Sequence, residues 1–139
     1  MELIQELEVW YVIPAIRKEL ALAMHNSGLK QVEIAKRLGL TKAAINQYLS
    51  EKRGTEIKFN SKIKASITNS ASRIKNGFDS VREIQYLLNI SREEKIACQF
   101  HKNLDNSFKG CNACYEPPLM NIGAKGWKKY TLIMLQQQN

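Results

Sequence analysis

The segment from Leu29 to Gly54, LKQVEIAKRLGLTKAAINQYLSEKRG, decides the fold of the first half of the chain. Its first apolar residues recur at helical spacing: Val32, Ile34, Ala35 and Leu38. This run stops at Gly39, where a chain can leave a helix without a Cβ clash. The pattern therefore predicts a short helix that ends at Gly39.

A second short helix is predicted directly after this turn. Thr41 is a preferred N-cap residue, because its hydroxyl can accept a hydrogen bond from a free backbone N–H of the first turn. The apolar residues that follow form one helix face: Ala44, Ile45, Tyr48 and Leu49. Two short helices joined by a tight turn form a helix-turn-helix.

The residues around the turn also suit a close helix pair. Ala35 is small where the second helix must cross, and Leu40 and Ile45 are apolar where both helices need a core. The segment resembles the helix-turn-helix of lambda-repressor-like (XRE-type) DNA-binding domains. The longer run at residues 13–54, IPAIRKELALAMHNSGLKQVEIAKRLGLTKAAINQYLSEKRG, is similar to one group of short archaeal predicted transcriptional regulators. The resemblance implies a regulator that binds double-stranded DNA.

The second predicted helix carries residue types that can read DNA bases on its outer face: Lys42, Ala43, Asn46 and Gln47. Asn and Gln can form paired hydrogen bonds with adenine, Lys reaches guanine acceptors, and the Ala methyl group can contact thymine. We predict that these side chains, with Thr41 at the cap, contact bases. The alternative is that they are only the solvated face of an amphipathic helix.

Other polar residues flank the two helices and suit phosphate groups. Backbone N–H groups and side chains at a helix start can bind phosphate, and cations after the recognition helix can hold the flanking DNA backbone. The candidates are Lys30 and Gln31 before the motif, Lys52, Arg53 and Lys58 after it, and Lys125, Lys128 and Lys129 near the end of the chain.

The composition fits a DNA-binding protein but does not identify the motif. The 139-residue chain carries a formal net charge of +8, which favours a polyanionic partner. Residues 1–60 contain nine Lys and Arg against seven acidic residues, whereas residues 61–139 contain twelve against six. No apolar run approaches the roughly 18 residues that would span a bilayer. The N-terminus, MELIQELE, lacks the basic region of a secretory signal, so we expect a cytoplasmic protein with no membrane partner.

The first 26 residues are expected to support the motif. Residues 2–13 are rich in apolar side chains, which can pack on the C-terminal part of the chain or on a second subunit. Pro14 suits the first turn of a helix, because its missing N–H has no intrahelical partner to lose there. This helix would buttress the helix-turn-helix.

Three further helices are predicted between Asn60 and about Lys102. Asn60 or Ser61 can cap the first of them, and Ser80 and Ser91 each begin a Ser-x-x-Glu capping box for the next two. One of these helices should form a homodimer interface, because dimers read two half-sites roughly 34 Å apart. The alternative is that the helices complete a monomeric core.

The three cysteines of the chain and His101 follow the pattern Cys-x2-His, nine residues, Cys-x2-Cys: Cys98, His101, Cys111 and Cys114. Two short-spaced pairs joined by a loop can place four N and S ligands around one centre. An odd number of cysteines without an export signal argues against a disulfide framework. We therefore predict a metal site or cluster site at these residues, in preference to unrelated thiols.

The ligand set admits two metal cofactors. Three thiolates and one imidazole suit tetrahedral zinc, which would stabilise a small tail. An iron–sulfur cluster accepts the same set, and it would give a transcription factor a redox or iron signal to sense. The related archaeal regulators carry Cys/His clusters in similar places, so the cluster is preferred on the sequence. A catalytic cysteine with His101 as its base is a third interpretation, but a shared metal explains two ligand pairs better.

The predicted fold is mainly α, with a lambda-repressor-like helix-turn-helix domain at residues 1–59. A helical linker or dimerisation region follows at residues 60–97, and a Cys/His metal or cluster module with a C-terminal tail occupies residues 98–139. We predict a dimeric DNA-binding transcriptional regulator that is not an enzyme and has no small-molecule substrate. The alternatives are an antitoxin-like or adaptor protein that mainly binds proteins, and a thiol redox protein.

Overall fold

A computed structural model of the chain describes residues 2–116 and residue 119. Within these residues the fold is helical and contains no strand, so the predicted mainly α class is confirmed. None of the described helices is long and apolar enough to cross a membrane. The predicted phosphate contacts of Lys125, Lys128 and Lys129 lie outside the described residues. The α-helices are α1 (Ile4–Leu7), α2 (Ile13–Asn26), α3 (Gln31–Leu38), α4 (Lys42–Leu49), α5 (Ser61–Arg73), α6 (Gly77–Glu93) and α7 (Ile96–Leu104).

A π-helical turn at Glu8–Val12 joins α1 to α2, so the N-terminal segment is helical from Ile4 onward. Pro14 explains the wider turn, because it has no N–H to donate and its ring would clash with the carbonyl four residues earlier. The segment packs on α7, and the ring centroids of Tyr11 and Phe100 lie 4.6 Å apart. The N-terminal apolar run therefore packs on the C-terminal part of the chain, which is one of the two predicted arrangements.

The predicted end of α3 and the predicted start of α4 are confirmed. Gly39 adopts a left-handed conformation with φ +65°, and the N–H of Leu40 donates to the carbonyl of Ala35 at 2.9 Å, which closes α3. Thr41 caps α4, because its Oγ1 accepts the N–H of Ala44 at 3.1 Å. These local hydrogen bonds fix the short connection between the two helices.

One apolar residue of α3 does not belong to the core. Ile34, Ala35 and Leu38 are buried, but the side chain of Val32 is 63% exposed. Val32 lies two positions before Ile34, and residues two apart in a helix project from different faces. The grouping of Val32 with the core residues is therefore wrong.

The capping predictions for α5 and α6 have different outcomes. Asn60 caps α5 as predicted, since its Oδ1 accepts the N–H of Ile63 at 2.9 Å. Asn76 and Gly77 are residue types typical of a helix end, but here they begin α6: Asn76 is its N-cap and Gly77 is its first residue. The Oδ1 of Asn76 accepts the N–H of Asp79 at 3.0 Å, so the new helix begins one turn earlier than predicted.

The two predicted Ser capping boxes are wrong, because both serines lie inside α6 and are buried. The Ser80 hydroxyl donates to the carbonyl of Leu38 at 3.5 Å, and the Ser91 hydroxyl donates to the carbonyl of Leu87 at 2.9 Å. The next helix, α7, begins only at Ile96, after Lys95 has adopted a left-handed conformation.

A single hydrophobic core runs through the described residues from Leu7 to Ala97. α5 packs mainly against α2, and α2 also contacts α3, α4 and α6. The predicted boundary between residues 59 and 60 therefore falls within one continuous core. α2 therefore supports both α3 and α4, and α6 also packs on α3.

Candidate functional site

α4 has one exposed face and one buried face. Ile45 and Tyr48 are buried in the core, which fixes the rotation of the helix about its axis. Residues three or four positions apart are neighbours on a helix surface, so the exposed residues of α4 form one continuous surface. They are the four predicted base contacts: Lys42, Ala43, Asn46 and Gln47.

The predicted phosphate contacts lie at the ends of α3 and α4. Lys30 is exposed at the N-cap of α3, and Gln31 is the partly buried first residue of that helix. Lys52 and Arg53 are exposed in the loop after α4, and Lys58 is exposed further along the same connection. Cationic and amide side chains therefore lie at the start of α3 and after the end of α4.

Thr41 and Arg53 each have a structural contact as well. The Thr41 hydroxyl oxygen accepts one hydrogen bond in the α4 cap, which leaves its hydroxyl hydrogen and one lone pair for another partner. The guanidinium carbon of Arg53 lies 5.4 Å from the ring centroid of Tyr48, a cation–π distance. This contact holds Arg53 at the C-terminal end of α4.

Gly54 fixes the loop after α4 against the start of α2. Its φ is +75°, and a Cβ at this position would lie 2.5 Å from the carbonyl oxygen of Pro14 and 3.1 Å from the Cβ of Lys18. Only a residue without a side chain permits this approach. Gly54 therefore ties the end of the α3–α4 unit to α2.

The predicted metal ligands line a single small cavity of about 20 Å³. Cys98 and His101 lie one turn apart on α7. Cys111 lies before the 3₁₀ turn Ala113–Tyr115, and Cys114 lies within it. All three thiols are unpaired by disulfides. Among the described residues, however, no three His, Cys, Asp or Glu side chains converge closely enough to form a ready metal group.

Two of the thiols that line this cavity, Cys98 and Cys114, differ in the groups that surround them. Burial raises the pKa of the Cys114 thiol, and the nearby Cys98 adds to the shift, while the backbone N–H of Ile4 acts in the opposite direction. The Cys98 thiol donates to Tyr115 Oη at 3.7 Å. Tyr115 in turn donates to the carbonyl of Arg92 at 3.5 Å, so its hydroxyl links the cavity to the end of α6.

His101 is held from two sides by residues that the sequence did not single out. Its Nε2 lies 2.9 Å from the Oε2 of Glu2, and its ring stacks on Phe108 with 4.0 Å between centroids. With Nε2 engaged, Nδ1 is the ring nitrogen left for a metal. No local pattern could have identified Glu2, which precedes His101 by 99 residues.

A partly buried ion pair anchors the π-helical turn to α6. The guanidinium of Arg92 donates to both carboxylate oxygens of Glu8, at 2.6 and 2.9 Å. Glu8 is only 5% exposed. This bidentate pair holds the N-terminal segment beside the connection that leads to α7 and the cysteines.

The donor set of the cavity fits a metal ion chemically. Thiolates and imidazole are the usual ligands of structural zinc, and His101 already has the carboxylate partner that metal-bound histidines commonly have. The four side chains surround one cavity but must move closer together around an ion. Such movement is expected, because metal binding and local folding are coupled.

No family model, curated protein or solved structure is detectably similar to this chain.

Proposed function

We propose that this protein is a sequence-specific, DNA-binding transcriptional regulator in which α3 and α4 act as a helix-turn-helix. The observation that carries the proposal is the division of α4 into a face fixed in the core by Ile45 and Tyr48 and an exposed face with Asn46 and Gln47. A rigidly held helix can present amide side chains to base edges with defined geometry.

The charges around α4 favour nucleic acid over a purely solvated surface. α4 contains no acidic residue, and Lys42 lies at its start. Lys30 is exposed at the beginning of α3, and Lys52 and Arg53 are exposed beyond the end of α4. Lys42 at the start of α4 and the cations beyond its end lie on either side of Asn46 and Gln47 in the sequence, which suits phosphates on either side of a DNA groove. The resemblance to XRE-type domains supports the same function.

A homodimer is part of this proposal, because one recognition helix reads few base pairs. The exposed face of α6 carries three large apolar side chains: Phe78, which is 85% exposed, Val81 and Tyr86. α6 begins beside the turn between α3 and α4, since a Cβ on Gly39 would lie 3.7 Å from the Cα of Gly77. We assign this face to a second copy of the chain, which would place two α4 helices on one duplex.

Selection of bound fragments from random double-stranded DNA should yield an inverted repeat whose half-sites are about 10 base pairs apart, centre to centre. Asn46→Ala should weaken binding to the selected site by about 1 to 3 kcal/mol, or roughly 5- to 150-fold. Binding to unrelated DNA should change little, since phosphate contacts remain. Fluorescence anisotropy at fixed salt measures both values.

Asn69→Ala is the matched control, because Asn69 is also exposed but lies on α5. Circular dichroism should show unchanged helix content in both variants. Equal affinity of wild type and Asn46→Ala for the selected site, or failure of the selection to enrich any sequence, would contradict the proposal.

We also propose that Cys98, His101, Cys111 and Cys114 bind one metal ion, with zinc as the ion that suits the ligands. Three thiolates and one imidazole are a usual ligand set of tetrahedral structural zinc, and we therefore prefer zinc to an iron–sulfur cluster. When bound, zinc would cross-link α7 to the 3₁₀ turn and so stabilise this part of the chain.

Protein purified without oxygen should be colourless and contain one zinc ion per chain. Cys111→Ser should lower the zinc content, because serine is a poor zinc ligand compared with a thiolate. Elemental analysis and an ultraviolet–visible spectrum test both statements. Brown protein with matching iron and sulfide would instead show that the site holds an iron–sulfur cluster.

A further inference from the structure

We propose that the N-terminal segment, residues 2–12, supplies the outer shell of the Cys98, His101, Cys111 and Cys114 site, with Glu2 as the positioning residue for His101. This inference rests on the metal site proposed above. It assigns a role in metal binding to residues that are far from the ligands in the sequence but contact one of them in the fold.

The contact between Glu2 and His101 has the form found behind metal-bound histidines. A ligating imidazole commonly donates its second N–H to a carboxylate, which fixes its tautomer and raises its basicity. Here Glu2 Oε2 lies 2.9 Å from His101 Nε2, and stacking on Phe108 fixes the plane of the ring. The carboxylate therefore selects the tautomer in which Nδ1 carries the free lone pair.

The same segment also packs on the helix that carries two of the proposed ligands. α1 contacts α7, on which Cys98 and His101 lie one turn apart. The N-terminal segment therefore lies beside the Cys98 and His101 half of the proposed site.

Buried contacts hold this segment in place before any metal binds. Leu7 is buried in the core, and Glu8 forms the bidentate pair with Arg92. The Tyr11 ring packs on Phe100, which lies next to His101 on α7. Glu2 is therefore attached to a fixed helical segment, whereas an isolated chain terminus would lose entropy in making the same contact.

The competing explanation is an ordinary surface pair with no effect on metal binding, because the Glu2 side chain is 44% exposed. The two explanations predict different metal affinities. If Glu2 orients a ligand, its loss should weaken metal binding by about 10- to 100-fold. If the pair is only a surface contact, metal affinity should not change.

The test uses full-length apoprotein under reducing, oxygen-free conditions, titrated with Co²⁺ and then with Zn²⁺ in competition with a chromophoric chelator. Glu2→Ala should lower the affinity for both ions by about 10- to 100-fold. Glu2→Gln keeps an acceptor oxygen and should lose less. Glu93→Gln is the control for charge, because Glu93 is exposed and its side chain forms no hydrogen bond within the described residues.

Nuclear magnetic resonance of the ¹⁵N-labelled imidazole rings gives a second measurement. The zinc-loaded protein should show His101 coordinated through Nδ1 with a proton on Nε2, and a His25→Gln variant identifies the signals of the other, exposed histidine. Coordination through Nε2, or unchanged affinity in Glu2→Ala, would overturn the inference while leaving the metal site intact. Absence of Co²⁺ and Zn²⁺ binding by the wild type would overturn both, and the DNA-binding proposal would still stand on its own test.

Discussion

Arg92→Ala should lower the free energy of unfolding by about 3 to 5 kcal/mol, because it leaves the carboxylate of Glu8 buried without its partner. Glu8 is 5% exposed and accepts two hydrogen bonds from the Arg92 guanidinium. Urea denaturation of wild type and variant measures the difference in the free energy of unfolding, provided that this free energy has the same dependence on urea concentration in both proteins.

Two further variants separate this effect from the loss of any ion pair. Lys62→Ala removes the pair with Glu94, which has a 2.8 Å contact but a 74% exposed lysine, and should cost no more than about 1 kcal/mol. The double change Glu8→Leu with Arg92→Met removes both charges and should recover most of the loss. If Arg92→Ala were as mild as Lys62→Ala, the buried pair would not be important for stability.

Gly54→Ala should destabilise the protein by about 2 to 5 kcal/mol. The left-handed conformation at φ +75° costs an L-residue about 1 to 2 kcal/mol. The added Cβ would also lie 2.5 Å from the Pro14 carbonyl oxygen, and relieving such a contact through backbone shifts typically costs about 1 to 3 kcal/mol. Thermal and urea unfolding measure the total loss of stability from both causes.

Gly28→Ala is a matched control for the steric contact between the added Cβ and Pro14. Gly28 also has a positive φ, +96°, but a Cβ there would have no atom within 4 Å. This variant should lose only the conformational part, about 1 to 2 kcal/mol. Equal losses in the two variants would show that the approach of Gly54 to Pro14 does not constrain the fold. Because this contact links the α3–α4 unit to α2, Gly54→Ala should also weaken DNA binding, whereas Gly28→Ala should not.

The sequence predicted those features that depend on neighbouring residues. Gly39, Thr41 and Asn60 form their turns and caps with residues three to five positions away, so their types and spacing were sufficient. The same reasoning failed for Ser80 and Ser91. A Ser-x-x-Glu pattern also occurs inside helices, and Asn76 begins α6 one turn earlier with its own side-chain bond.

Contacts between residues that are far apart in the sequence could not be predicted in this way. Glu2 meets His101, and Glu8 meets Arg92, only because the core brings α1, α6 and α7 together. The π-helical turn had one indication in the sequence, Pro14, which disturbs the hydrogen bonding of the preceding turn. For the four predicted metal ligands the spacing indicated a shared location, and the structure places all four around one cavity.

The pairing of Glu8 with Arg92 also sets an order of events during synthesis of the chain. The two residues are separated by 84 positions, and at about 5 to 20 residues per second the ribosome adds the arginine roughly 4 to 17 s after the glutamate. Until then α1 and the turn at Glu8–Val12 lack α7 to pack against. The N-terminal segment therefore reaches its final packing only after α7 has been synthesised.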